Sequence, residues 1–291
     1  MAARKVLVIA NPVAGRGRGA RAGDELARHL RALHIEVEVY TTRARGDARA
    51  RAANVERDVS AIVSVGGDGT LNEVLAGLCI RSLPVGQLAL GTANVLALDL
   101  RLPRDPAALA HVVAAGRTQR IDLARVGERI SFLGVSAGFD AMVVHGLERV
   151  RRGPITKWTW TRAALSEFQR YAPPELSIEI DGKLQPGTYG MVLIANVVNY
   201  AGWPSLASDR VLDDGRFEAF LFPAHSRLGL LRHAARGFFA RFPGGGVVRI
   251  AGRRFRVASN RPVSMQVDGD AAGHTPFELT VEAEPCRILV P

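Results

Sequence analysis

Val65-Gly66-Gly67-Asp68-Gly69-Thr70-Leu71-Asn72-Glu73-Val74 is the stretch of this sequence whose residue types suit phosphate chemistry. Glycines let backbone N–H groups approach an anion closely, and a helix that starts in such a turn adds its dipole. Glycines flank one carboxylate, Asp68, and the polar Thr70, Asn72 and Glu73 follow. A plain strand-to-helix turn with a helix cap would account for the glycines alone. The acid and the polar side chains after it point to a nucleotide phosphate site. A second turn, Gly91-Thr92-Ala93-Asn94, repeats the small polar chemistry. The glycine- and arginine-rich loop from Asn11 to Gly19 offers a further phosphate or ribose contact. Gly15, Gly17 and Ala20 meet only a loose dinucleotide fingerprint, in poor register with the strand before them. The sequence contains neither a Gly-x-x-x-x-Gly-Lys-Ser/Thr loop nor the protein-kinase signature set. Phosphate binding therefore falls to the Gly66–Thr70 turn.

The elements that must position these turns follow from periodicity. Lys5 to Ala10, Val59 to Val65 and Pro84 to Leu90 are apolar enough for buried parallel strands. Ile35, Val37 and Val39 alternate with polar residues in a half-exposed strand that ends at Thr41 and Thr42. Helices are predicted over Asp24–Leu33, Gly46–Asn54 and, from Leu71, Val74, Leu75 and Leu78, after the first turn. Alternating strands and helices up to about Ala115 predict an α/β domain with a mainly parallel sheet, whose strand ends converge on one crevice. Beyond Thr118, short apolar runs separated by Asp181-Gly182, Asp214-Gly215 and Asp268-Gly269 predict a mostly β half, a sandwich. One of these runs spans Ile121 to Val126. Helical insertions are predicted over Phe139–Arg149, Ile155–Tyr171 and Ser226–Phe242. The division is thus 1–118 and 119–291. In Ser226–Phe242 the stripe containing Leu228 and Leu231 reads as core, with a membrane-surface helix as the other option.

A chain of 291 residues, 47% hydrophobic, can bury one large or two modest cores. Its formal charge of +10 is almost all arginine, since lysine occurs only at 5, 157 and 183. That surplus favours anionic partners: nucleic acid, an anionic bilayer or phosphorylated ligands. With 6% aromatic residues there is little sign of a stacking surface, so no nucleic acid partner is expected. There is no apolar run of spanning length and no leader-like start, and a cytoplasmic protein is expected. Cys79 and Cys286 lack metal spacing and read as core.

Asn11-Pro12-x-x-Gly15, Gly66-Gly67-Asp68-Gly69-Thr70-Leu71-Asn72-Glu73-Val74, Gly91-Thr92-Ala93-Asn94, Ala137-Gly138-Phe139-Asp140-Ala141 and Val267-Asp268-Gly269 occur in this order. Over nearly the whole chain this series resembles the diacylglycerol kinase catalytic family, which includes soluble bacterial lipid kinases and sphingosine kinases. The resemblance implies an NAD-kinase/Rossmann-like α/β domain, then a β-sandwich with helical insertions, and a nucleotide cleft between them. It implies ATP-dependent transfer of a phosphoryl group to a lipid hydroxyl, diacylglycerol giving phosphatidate.

Position by position, the resemblance places Gly66, Gly67, Asp68, Gly69, Thr70, Leu71 and Asn72 around the ATP phosphates. Thr42 and Thr92 match nucleotide-contacting threonines, and Asn11 lies near the nucleotide. Asp68 suits Mg²⁺, which takes few carboxylates and keeps several waters. Family members commonly carry Asp-Gly-Glu late in the chain, the glutamate serving as proton acceptor. Here the stretch is Asp268-Gly269-Asp270, one methylene shorter at the last residue. Asp270 is assigned as base with Asp68 as fallback, and a bare hairpin turn is the alternative. Val211 to Arg216 resembles a segment that holds a second, structural magnesium through the Asp214 carboxylate and the carbonyls of Val211 and Arg216. Without the resemblance, Asp214-Gly215 before a strand is a turn. Asp140 would bind a polar substrate headgroup or cap the helix that begins there. The implied partners are nucleotide and a lipid substrate, met peripherally at an anionic membrane surface on its inner face. Oligomeric state is left open, a homodimer among the options. An NAD kinase-like enzyme and a catalytically impaired lipid- or nucleotide-binding regulator are the competing functions.

Overall fold

The computed structural model describes residues 5–150, 157–197, 209–223, 226–238 and 245–291. The chain forms two compact units, Met1–Ile121 with Glu284–Pro291, and Asp122–Ala283.

The first unit is built on one six-stranded sheet. It contains β1 (Lys5–Ala10), β2 (Glu36–Thr41), β3 (Val59–Gly66), β4 (Val85–Ala89) and β5 (Thr118–Ile121). The order is β2-β1-β3-β4, then the chain's last strand Cys286–Leu289, then β5. The first four strands are mutually parallel, and the last strand runs parallel to β4 and antiparallel to β5. β1 lies inside the sheet, which is why Val6 to Ala10 is continuously apolar and buried. The helices are α1 (Ala14–Gly17), α2 (Gly19–Ala32), α3 (Asp47–Ala53), α4 (Asp68–Gly77), α5 (Val95–Asp99) and α6 (Pro106–Ala115). Leu26, Ala27 and Leu30 of α2 and Leu109, Ala110 and Val113 of α6 pack with Val8, Val63 and Val65 in one core. α2 begins earlier than its leucine stripe, at Gly19, which sits against the Asn11 carbonyl where a Cβ would overlap it. Since β1 to β4 are parallel, the turns that follow them all leave from one edge of the sheet.

The second unit contains β6 (Ala124–Val126), β7 (Arg129–Ser131), β8 (Gly134–Ala137), α7 (Phe139–Val150), α8 (Lys157–Arg170), β9 (Leu176–Ile180), β10 (Lys183–Leu184) and β11 (Met191–Ala195). These are followed by β12 (Phe217–Phe222), α9 (Arg227–Phe238), β13 (Val248–Gly252), β14 (Arg254–Ser259), β15 (Ser264–Val267), β16 (Asp270–His274) and β17 (Phe277–Val281). Cys286–Leu289 is β18. Two antiparallel sheets, β10-β9-β14-β17-β6-β7 and β13-β12-β11-β8-β15-β16, form the sandwich. Ile178, Phe255, Val257 and Leu279 from one sheet share a core with Val135, Val192, Ile194, Phe217 and Val267 from the other. Each such side chain contributes on the order of 1.5–3 kcal/mol by leaving water. α7 and α8 pack through Val143, Leu147 and Ala163, and Phe139 meets Tyr171 edge-on at 5.3 Å.

Several sequence expectations are corrected. The run Ile121 to Val126 is two strands in different units, β5 and β6, broken at the buried Asp122, whose N–H bonds the Leu212 carbonyl at 2.7 Å. The last strand returns to the first unit, a pairing that four residues of mixed polarity do not announce. Cys79 is exposed, while Cys286 is buried as expected. On α9, Leu228 and Leu231 are exposed while Leu230 and His233 are buried, so these two leucines of the predicted stripe are not core. Residues 239–242 of that predicted helix, like 155–156 of the earlier one, lie outside the described residues. Among the described residues no helix is long and apolar enough to cross a membrane.

Candidate active site

In the first unit the glycine turns are locked to one another. β3 ends at Gly66, Gly67 takes the N-cap position of α4 with no side-chain cap, and Asp68 and Gly69 open the helix. A Cβ on Gly66 would fall into the Thr70 side chain, and a Cβ on Gly67 would lie 3.1 Å from the Gly91 Cα. The turns after β3 and β4 therefore touch backbone to backbone, a contact only glycine permits. Nothing lies within 4 Å of where a Cβ on Gly69 would sit, and Gly69 is exposed. Asn11, at the end of β1, donates from Nδ2 to Thr70 Oγ1 at 3.1 Å, and its N–H bonds the Val65 carbonyl. Asn94, at φ 50°, closes the second turn by accepting the Gly91 N–H at 2.9 Å and donating to the Gly91 carbonyl at 2.7 Å. Asp68 Oδ2 accepts the Val95 N–H at 3.3 Å, tying α4 to the start of α5. Glu73 Oε1 accepts the Gly46 N–H at 3.0 Å and so anchors the loop after Thr42. Thr42 is buried, Thr92 exposed and Asn72 half-buried. The Leu71 side chain is fully buried and its N–H is donated to the Gly67 carbonyl.

In the second unit one amide links Asp140 to the turn that precedes Asp270. Asp268 and Gly269, at φ 50° and 87°, make the two-residue turn between β15 and β16, with Val267 paired to Asp270. The Asp268 carboxylate is fully engaged. Oδ1 accepts from Ser131 Oγ at 2.7 Å and from the N–H groups of Leu133 and Gly134 at 3.0 and 2.9 Å, while Oδ2 accepts from the Phe132 N–H at 3.0 Å. Burial pushes its carboxyl up from the usual value, and those donors oppose the rise. Asp268 thus holds the turn in place, and Asp270 is the half-buried acid that follows it. Gln266 Oε1 accepts the Gly269 N–H at 2.7 Å, and its Nε2 reaches Ser136 Oγ at 3.0 Å and Asp140 Oδ2 at 3.3 Å. Ser136 Oγ donates to Asp140 Oδ2 at 2.6 Å. Asp140 stands in the first turn of α7.

The segment expected to hold a structural magnesium is arranged differently. Arg210 fills it. Nη1 donates to Asp214 Oδ2 at 3.0 Å, and Nη2 donates to Asp214 Oδ1 at 3.2 Å and to the Arg216 carbonyl. The Asp214 carboxylate and the Arg216 carbonyl, two of the three expected ligands, already accept from a cation. Among the described residues no group of three or more His, Cys, Asp or Glu could hold a metal ion.

The diacylglycerol kinase catalytic domain matches residues 5–126, and the YegS C-terminal NAD kinase beta sandwich-like domain matches residues 134–290. The chain belongs to the diacylglycerol kinase family. A diacylglycerol kinase of Staphylococcus saprophyticus is 26% identical over 296 residues, covering 99% of this chain and 96% of that protein. One from Staphylococcus haemolyticus is 26% identical over 277 residues, covering 92% and 83%. The crystal structure of a diacylglycerol kinase from Bacillus anthracis superposes with a TM-score of 0.79 at 19% identity, covering 99% of this chain and 97% of that one, and shares the fold.

Against this family frame, the structure gathers Asn11, Thr42, Gly66 to Thr70 and Thr92 at one edge of the parallel sheet, and joins Asp140 to the turn before Asp270. Of the residues that do the joining, Asn94 stands in the second turn and the others lie outside the sequence motifs. Asn94 carried a signal, an asparagine able to bond its own turn. Gln266, Ser136 and Arg210 carried none, because their partners are distant in sequence.

Proposed function

We propose that this diacylglycerol kinase family member transfers the γ-phosphoryl group of ATP to a lipid hydroxyl, with diacylglycerol giving phosphatidate. The observation that carries the reading is the Gly67–Gly91 contact beside Asp68 and the open Gly69, a backbone-lined anion cradle at a helix start. Gly66 to Thr70 and Asn72 hold the phosphates through N–H groups and polar side chains, with Asn11, Thr42 and Thr92 on the nucleotide. Asp270 accepts the proton of the lipid hydroxyl, whose oxygen bonds the γ-phosphorus as the bond to the β–γ bridging oxygen breaks and ADP leaves. Asp140 binds the polar headgroup. Asp68 would hold a magnesium ion through its half-buried carboxylate beside the exposed Gly69, as Mg²⁺ takes few carboxylates and keeps several waters. When bound, that ion neutralises charge on the transferring group.

The lipid is met at an anionic membrane surface. The +10 charge supports this, as do the exposed Trp158 and Leu165 on α8 and Leu228 and Leu231 on α9, each helix also exposing arginine. The test is a panel of lipids and NAD incubated with ATP and Mg²⁺, read by mass spectrometry. Phosphorylated diacylglycerol is expected. Product from NAD and from no lipid would overturn the reading, and ATP binding without any product would assign a regulator instead.

A further inference from the structure

We infer that Arg210 serves as the permanent cation of the Val211–Arg216 loop, so that this loop takes no divalent ion. The Arg210 side chain is 1% exposed. Beyond its forked contact with Asp214 and its bond to the Arg216 carbonyl, Nε and Nη2 donate to Asn196 Oδ1 at 3.1 and 2.6 Å. Asn196 in turn donates from Nδ2 to the carbonyls of Asp122 and Leu212 at 3.0 and 3.2 Å. One guanidinium and one amide thus gather the loop's oxygens on donors. Asp122 Oδ2 and the Gly215 N–H, 2.7 Å apart, close the other side.

This arrangement and a metal site exclude each other. Magnesium requires near-octahedral oxygen ligands at about 2.0–2.1 Å. The Asp214 and Arg216 oxygens would have to turn from the guanidinium to the ion, and the ion would then sit beside the buried Arg210 cation. An arginine guanidinium does not shed its charge at accessible pH and presents a planar fork matched to a carboxylate. The buried arginine therefore does what a structural ion would do: it neutralises Asp214 and fixes the turn that leads into β12. The inference is independent of the kinase reading, because it concerns the stability of one loop.

Thermal denaturation of the full chain tests it, without nucleotide and in an Asp68→Asn background that removes the other carboxylate assigned to a metal. Stripping with chelator and adding back millimolar Mg²⁺ or Ca²⁺ should leave Tm unchanged. A rise on adding metal that disappears when Asp214→Asn is introduced would overturn the inference. Arg210→Ala should lower Tm by roughly 2–6 °C, since the Asp214 carboxylate, the Arg216 carbonyl and Asn196 lose the buried guanidinium that gathers them. Added metal should now restore part of that loss through the freed oxygens. Arg210→Lys, which keeps the charge without the fork, covers the case in which the alanine variant does not fold. It should fall below the parent in Tm and remain insensitive to metal, whereas a Tm equal to the parent's would mean that the fork is not what holds the loop.

Discussion

Gln266 donates to Asp140, Nε2 to Oδ2 at 3.3 Å, while its own Oε1 accepts the Gly269 N–H at 2.7 Å. The residue proposed to bind the headgroup and the turn before the proposed base are therefore held by one buried amide. Gln266→Leu removes one hydrogen bond from the Gly269 N–H and one from Asp140, which keeps the Ser136 hydroxyl, and each lost bond costs about 0.5–1.5 kcal/mol. Urea unfolding should show that loss. Steady-state kinetics on lipid should show kcat falling by more than the folded fraction accounts for, with KM for ATP unchanged. A variant with wild-type kcat would remove Gln266 from any part in positioning.

Gly69 and Gly91 separate stability from binding. A Cβ on Gly69 meets nothing, so Gly69→Ala should be neutral or stabilising by about 0.5–1 kcal/mol, as alanine replaces glycine in a helix. If phosphate occupies that space, KM for ATP rises while Tm does not fall. Gly91→Ala puts a Cβ 2.7 Å from both the Gly67 Cα and Asn94 Oδ1, so it should lower Tm and ATP affinity together. An unchanged KM for ATP in Gly69→Ala would remove the helix start from the nucleotide site.

Asp270 is tested in both directions. Asp270→Asn retains the turn, which Asp268 and Gly269 build, and removes the proton acceptor. Turnover should drop by roughly 10²–10⁴-fold with ATP binding intact. Asp270→Glu restores the longer side chain of the resembling motif and should keep or raise kcat. Loss of activity in the glutamate variant would mean that the site is built around the shorter acid.

Burial raises the Asp122 carboxyl above its usual 3.8, against the opposing bond from the Gly215 N–H. The folded chain then binds this proton more tightly than the unfolded chain. Its contribution to stability is fully present below 3.8 and is lost as pH rises through the raised value. Asp122→Asn keeps an acceptor for Gly215 and removes the charge. Its stability should decline less than wild type's as pH climbs above 3.8, measured by urea titration at stepped pH. A variant that instead loses ground toward neutral pH would show that the charged form is favoured in the fold.

Much of the fold was legible because it is local. Apolar runs gave β1, β3 and β4, and Asp268-Gly269 gave its hairpin, since a two-residue turn with both φ positive selects those residues. The exposure of Leu228, Leu231, Trp158 and Leu165 was not legible: a helical stripe shows that a helix has two faces without saying which neighbour covers either. The return of Cys286–Leu289 to the first unit escaped for a related reason, as its pairing partners β4 and β5 lie far away in sequence.

By itself the sequence determined the glycine turns, the acids at 68, 140, 214 and 270, and the α/β-then-sandwich order, because backbone freedom and side-chain period act over a few residues. Only the tertiary structure decided what those acids are joined to. Asp214 went to Arg210, Asp140 to Gln266, and the turn after β3 to the turn after β4. These are choices among oxygens and donors from distant strands, settled by which of them the packed sheets bring within hydrogen-bond reach.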